Sequence, residues 1–156
     1  MLKGEQPMKI DFPIEQAVQK RYSVRNYKAQ EVEPNVQEAI KTFVASLNNP
    51  FGEKVYFHFL DKRAMQNRQK LGTYGVIKGA DQFIGTTISR QPAALVALGY
   101  EMEAVVLYLA HLGLGTCWLG GTFDRKGFAK AMNIEDDKMF PIMTPFGYPA
   151  AQKHLQ

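Results

Sequence analysis

A chain of 156 residues, 46% hydrophobic and 12% aromatic, carries enough apolar material for one domain with a real core, and residues 1–156 are read as that single domain. Its formal charge of +4 is too small and too dispersed to argue for nucleic acid. One cysteine, Cys117, excludes an internal disulfide framework and points to a reducing, cytoplasmic setting. The opening "MLKGEQPMKIDFP" has no apolar run of signal-peptide length, so export is not expected.

In chain order, "DFPIEQAVQKR" predicts a first helix. Asp11 is the expected N-cap, Pro13 falls in the first turn, and Ile14, Ala17 and Val18 share an apolar face. "QKRYSVRNYKAQ" follows, placing Arg21, Ser23, Arg25 and Lys28 where that helix runs out. Two readings stand for it, a solvated helix end or a seat for something anionic. "EPNVQEAIKTFVASLNN" predicts the clearest helix, opened by Pro34, striped by Val36, Ile40, Phe43, Val44 and Leu47, and stopped by Asn48 and Asn49 before Pro50. "KVYFHFLD" predicts a strand buried on both faces. The basic segment from Lys62 to Lys70 reads as a solvated helix or loop, and "DQFIGTTIS" as a second strand.

The stretch from Pro92 to Gly115 is long enough to span a membrane, but Glu101 and Glu103 lie near its middle. A charge there costs on the order of 3 kcal/mol on insertion scales, so a core helix is expected and a membrane is not. "HLGLGTCWLGGTFD" then sets Gly113, Gly115, Gly120 and Gly121 between the end of that helix and a short one, "DRKGFAKAMN", capped by Asp124. A helix C-cap at Gly113 explains one or two of these glycines, and a planar ligand resting on exposed peptides would explain Gly120 and Gly121 beside Trp118. The spacing matches neither the dinucleotide fingerprint nor the Walker phosphate loop. "MFPIMTPFGYP" predicts a final strand at an edge or a barrel-like bend because of its prolines. Interleaved helices and strands imply a layered arrangement.

Together these stretches resemble the FMN-dependent nitroreductase-like flavoproteins. "RYSVRNY" is similar to that family's signature of Arg, any residue, Ser, any residue, Arg, any residue and an aromatic. "GLGTCWLGG" is similar to the loop after its long central helix, and "FPIMTPFGYPA" to the strand ending in a Gly-Tyr-Pro turn. "LGTYGVIKGADQFIG" resembles the middle of a subgroup with two half-repeats in one chain, and the present chain resembles the N-terminal half. The likeness runs from about Ile14 to Ala150.

The resemblance implies an α+β fold, a three-layer α/β/α sandwich with a mainly antiparallel sheet. It implies an oxidoreductase with FMN as cofactor and NAD(P)H as donor, passing a hydride through the flavin to a small, electron-poor acceptor. It further implies that Arg21 and Arg25 pair with the FMN phosphate, that Ser23 donates its hydroxyl and that Tyr22 contributes a backbone contact. The peptides of Leu119, Gly120 and Gly121 would lie along the flavin ring, with Trp118 as a wall. No acid, base or nucleophile is needed, and His58, His111 and His154 lack metal-ligand spacing. Cys117, without a partner, reads as a buried small residue.

Family members continue past the Gly-Tyr-Pro turn into a basic segment that reaches the phosphate, for which "AAQKHLQ" offers only Lys153. The alternative expectation is therefore a non-catalytic or truncated flavin-binding half-domain. The helix from Pro92 to Leu112 and the aromatic strand from Tyr56 to Phe59 are expected to leave an apolar face that a second copy covers, giving a homodimer.

Overall fold

Four helices and four strands form over the residues that the computed structural model describes, 8–65 and 71–151. In chain order they are α1 (Ile14–Lys20), α2 (Pro34–Ala45), β1 (Val55–Asp61), β2 (Gln82–Ile88), α3 (Ala94–His111), β3 (Gly115–Thr116), α4 (Arg125–Ala131) and β4 (Met139–Gly147). A 3-10 turn, Lys62–Ala64, follows β1. The strands make one sheet in the order β1-β2-β4-β3, with every neighbouring pair antiparallel.

Side-chain alternation along β2 splits the core into two. Phe83 faces α4 in a cluster with Leu60, Leu119, Phe128 and Met143. Ile84 and Ile88 face the other way, onto α2 and α3 through Ile40, Val105, Leu109, Ala97 and Met102. At position 85 a Cβ would stand 2.5 Å from the Met132 sulfur, so glycine is what lets α4 pack this closely on the sheet. The result is α2 and α3, then sheet, then α4: the three layers expected of an α+β sandwich.

α3 has the length and apolarity to cross a membrane, yet 61% of that window is buried inside the fold, where it packs on the sheet and α1. Its end is a Schellman motif. Gly113 takes φ +83°, its N–H bonds the Ala110 carbonyl at 3.0 Å, and the Leu114 N–H bonds the Leu109 carbonyl at 2.9 Å. Asp124 caps α4 through the Gly127 N–H at 3.2 Å, as its position predicts.

Five expectations are corrected. Pro13, not Asp11, is the N-cap of α1, and its carbonyl accepts from the Ala17 N–H at 3.1 Å, leaving Asp11 outside the first turn. Of the α1 apolar face only Ala17 is buried, with Ile14 and Val18 38% and 56% exposed. β1 is an edge strand with only Val55 and Leu60 buried, so it is not covered on both faces. β4 is central, not an edge; the register shifts between Thr86 and Ile88, opposite Phe140 and Pro141, and this bulge absorbs the missing proline N–H. Lys62 is half-buried and not a freely solvated lysine. Its ammonium donates to the Leu71 carbonyl at 2.8 Å and lies 5.0 Å and 5.8 Å from the Phe83 and Phe128 ring centroids. Residues 66–70 of that basic segment, Lys153 and His154 lie outside the described residues.

Candidate functional site

The chain leaves α1 in extended backbone at Arg21 and runs as a quasi-strand past the end of the sheet. Ser23 bridges Thr116 in parallel, and the Val24 N–H donates to the Thr116 carbonyl at 2.8 Å. Asn26 bridges Lys78, and Tyr27 bridges Pro149. The segment is therefore laced to three other parts of the chain, including the glycine loop, instead of fraying as a helix end would. The crossing at Thr116 is close. A Cβ at Gly115 would sit 2.6 to 2.9 Å from three side-chain atoms of Val24, which is itself 1% exposed. Only glycine permits that approach.

Lys20, Arg21, Tyr22 and Val24 line a cavity of about 130 Å³ together with Gly113, Gly115, Thr116 and Pro149. Arg25 and Tyr22 are exposed beside it. Val24 is turned into the core, so the extended backbone sends its neighbours Ser23 and Arg25 the other way. Among the described residues, Lys20, Arg25, Lys28 and Lys78 make no ion pair. Arg21 has one acidic neighbour, with its Nε 4.0 Å from a Glu103 oxygen.

Glu103 connects the two sequence motifs. It stands beside Arg21, and the Trp118 side chain favours its charged form. Burial raises its carboxyl above the ordinary range, and the Arg21 charge and the Trp118 side chain oppose that rise. Trp118 also packs on the cluster of Val55, Ile88 and Ala97, so it is at once a core aromatic and a flank of the loop.

The glycine loop then divides. Leu119 is 2% exposed, and its N–H and carbonyl both bond Met143, at 2.8 Å and 3.0 Å. Its own N–H is committed to the sheet, so the open peptides start at Gly120. Gly120 and Gly121 are exposed, and among the described residues neither N–H has a hydrogen-bond partner. The Gly120 carbonyl accepts from Arg125. Neither glycine takes the positive φ that would require it. A Cβ at Gly120 would meet only Ile142 at 3.3 Å, and one at Gly121 nothing within 4 Å. The fold explains Gly113 and Gly115 but makes no demand for glycine at 120 and 121.

The structure thus brings Arg21, Tyr22, Ser23 and Arg25 against the head of the loop that carries Trp118, Leu119, Gly120 and Gly121. Composition-level reading missed Glu103, which registered only as a charge inside an apolar helix, and Lys20 and Lys78, which add to the basic rim. Gly115 gave no signal distinguishing a packing contact from a turn. His58 pairs with the Thr87 hydroxyl at 2.7 Å, and His111 stacks on Phe12 at 5.3 Å. Cys117 is buried, its backbone N–H bonded to the Thr144 hydroxyl at 2.9 Å.

A protein-family model described as "Putative TM nitroreductase" matches residues 13–156. Comparison with curated protein sequences finds no match. Solved structures share the fold. A nitroreductase with bound FMN from Desulfitobacterium hafniense is 15% identical with a TM-score of 0.70, the match covering 90% of each chain. Another with bound FMN, from Bacteroides fragilis, is 16% identical with a TM-score of 0.67, covering 92% of this chain and 94% of that one. A nitroreductase family protein from Clostridium novyi is 17% identical with a TM-score of 0.64, covering 88% and 86%.

Proposed function

The chain belongs to the nitroreductase family, and from that premise we propose that it is an FMN-dependent oxidoreductase, with NAD(P)H as donor and a small, electron-poor molecule as acceptor. One observation carries the reading: a cationic segment and a loop with two glycines the fold does not need are hydrogen-bonded together at Thr116. The donor set fits FMN. Guanidinium forks at Arg21 and Arg25 match phosphate oxygens, with Lys20 adding positive potential and the Ser23 hydroxyl a short donor. The exposed peptides at Gly120 and Gly121 offer N–H donors and a surface without Cβ atoms for a planar ring.

FMN held by these residues would supply the redox chemistry, hydride exchange between a reduced nicotinamide and the acceptor. The chain's own part is binding and placement. Arg21 and Arg25 hold the phosphate end, and Gly120 and Gly121 orient the ring edge. Trp118 excludes water on one flank. Glu103 holds Arg21 and Trp118 in a common register, so it positions both motifs without touching the reacting atoms.

We read the chain as one half-unit whose complement is a second copy. The exposed apolar side chains Ile14, Val18 and Tyr22 on or beside α1, with Leu95, Val96 and Tyr100 on α3, form the face such a copy would cover. The test is spectroscopic. Purified protein reconstituted with FMN should retain a flavin spectrum after desalting, and anaerobic NADH or NADPH should bleach it. Loss of all flavin on desalting would refute the binding assignment. Retained flavin that neither nucleotide bleaches would leave a flavin carrier and refute the oxidoreductase.

A further inference from the structure

A cleft in the described structure takes none of its lining from the basic segment or the glycine loop. It has a volume of about 800 Å³ and is lined by the end of α2, the 46–54 connection, the start of β1 and Glu101 of α3. This is within the size range of small-molecule sites, which are mostly apolar with a few placed polar groups. Val44, Leu47, Val55, Tyr56 and Phe57 supply the apolar walls. Glu101 supplies the polar point.

Glu101 is 4% exposed although it sits two positions before the half-exposed Glu103. Successive helix positions turn by about 100°, so the two carboxylates look to different sides of α3. Glu103 turns to Arg21 and Trp118, while Glu101 turns to Asn49 on the α2–β1 connection. The Asn49 amide is fixed in place, donating to a Glu101 oxygen and, at 2.8 Å, to the Glu53 carbonyl. No cation pairs with Glu101 among the described residues. Lys54, at the rim, has its ammonium 5.0 Å from the Tyr56 ring centroid instead. Burial raises the Glu101 carboxyl above the ordinary range, which the Asn49 bond opposes.

A carboxylate taken from water without a cation is costly to the fold, and one neutral amide offsets only part of that cost. No step of the proposed flavin chemistry uses it. We propose that this cleft is a binding site for a small organic cation, a protonated amine with an apolar or aromatic body, whose ammonium pairs with Glu101 while its body lies against Tyr56, Phe57 and Leu47. None of its lining residues belongs to the basic segment or the glycine loop, and Val55 and Phe57 are the walls it shares with the cluster on which Trp118 packs.

The experiment uses the full chain as purified, with 2-phenylethylammonium as probe and its neutral isostere 2-phenylethanol as control, followed by amide chemical-shift changes. The ammonium should bind at least about ten-fold more tightly than the alcohol, the scale of one charge-assisted hydrogen bond. Shifts should map to residues 44–57 and the Glu101 turn. Glu101→Gln keeps the side-chain volume and an acceptor for Asn49, and it should abolish the preference for the cation. The proposal fails if amine and alcohol bind wild type equally, or if the shifts map elsewhere. It also fails if Glu101→Gln keeps the preference, or if that variant changes the oligomeric state while the amine does not bind, which would make the cleft a contact between copies. A Glu101→Gln chain that did not fold would leave the wild-type comparison of amine with alcohol to decide.

Discussion

Gly115 and Gly121 look alike in the sequence and are opposites in the structure. At Gly115 a Cβ would press on Val24 at 2.6 Å, in a crossing where both partners are buried. Gly115→Ala is expected to destabilise the protein by roughly 1–3 kcal/mol, the cost of overpacking, and to pull the basic segment off the loop. A thermal melt checks the first effect. At Gly121 a Cβ meets nothing and φ is ordinary, so Gly121→Val should leave the melting temperature unchanged. It should still weaken FMN binding, because the branched side chain would stand where the ring approaches. An unaltered FMN affinity in that variant would remove Gly121 from the site. That Arg21, Ser23 and Arg25 form one segment was legible from their spacing, and the structure sets that segment against the glycine loop at Thr116. Glu103 was not legible, because only the packing of α1 on α3 reveals which side of the helix it serves.

At the scale of elements, His58 ties β1 to β2 through the Thr87 hydroxyl. Burial lowers its affinity for a proton below the ordinary value of 6.5. The unfolded chain therefore takes up that proton first as pH falls. The contribution of neutral His58 is present above pH 6.5 and is lost as pH drops through 6.5 toward the lowered folded value. Between about pH 7.5 and about pH 5.5 the wild-type melting temperature should fall more than that of His58→Gln; equal falls would show that His58 does not carry the effect.

The helices and strands themselves were readable where apolar spacing was regular, as in α2, β2 and α3. They were misread where a neighbour decides. Pro141 and Pro145 argued for an edge, yet a bulge beside Thr87 and the shortness of β3 let β4 run through the centre. The aromatic run of β1 argued for full burial, although β1 is an edge strand and, among the described residues, its middle positions are only partly covered. β3, two residues long, carries no pattern at all.

For the whole molecule, the exposed apolar residues of α1 and α3 bear on assembly. Val18 at 56%, Val96 at 54% and Leu95 at 53% exposure, with Tyr100 and with Tyr22 just past α1, belong to two helices packed together and the segment leaving one of them. A homodimer through this face should melt at a temperature that rises with protein concentration, because dissociation and unfolding are then coupled. Val18→Glu, placed where the fold itself is indifferent, should shift sedimentation to the monomer and remove the concentration dependence. A wild type that sediments as a monomer at micromolar concentration would refute the dimer.

The central claim is that the basic segment and the glycine loop make one FMN site whose phosphate end is held by Arg21 and Arg25. Fluorescence titration with FMN and with riboflavin, which lacks the phosphate, tests it most directly on wild type and on Arg21→Ala/Arg25→Ala. Wild type should prefer FMN over riboflavin by at least about ten-fold, the scale of a hydrogen bond to a charged group. The double variant should lose that preference while keeping its riboflavin affinity. Equal binding of FMN and riboflavin by wild type, or a preference that survives loss of both arginines, would contradict the account.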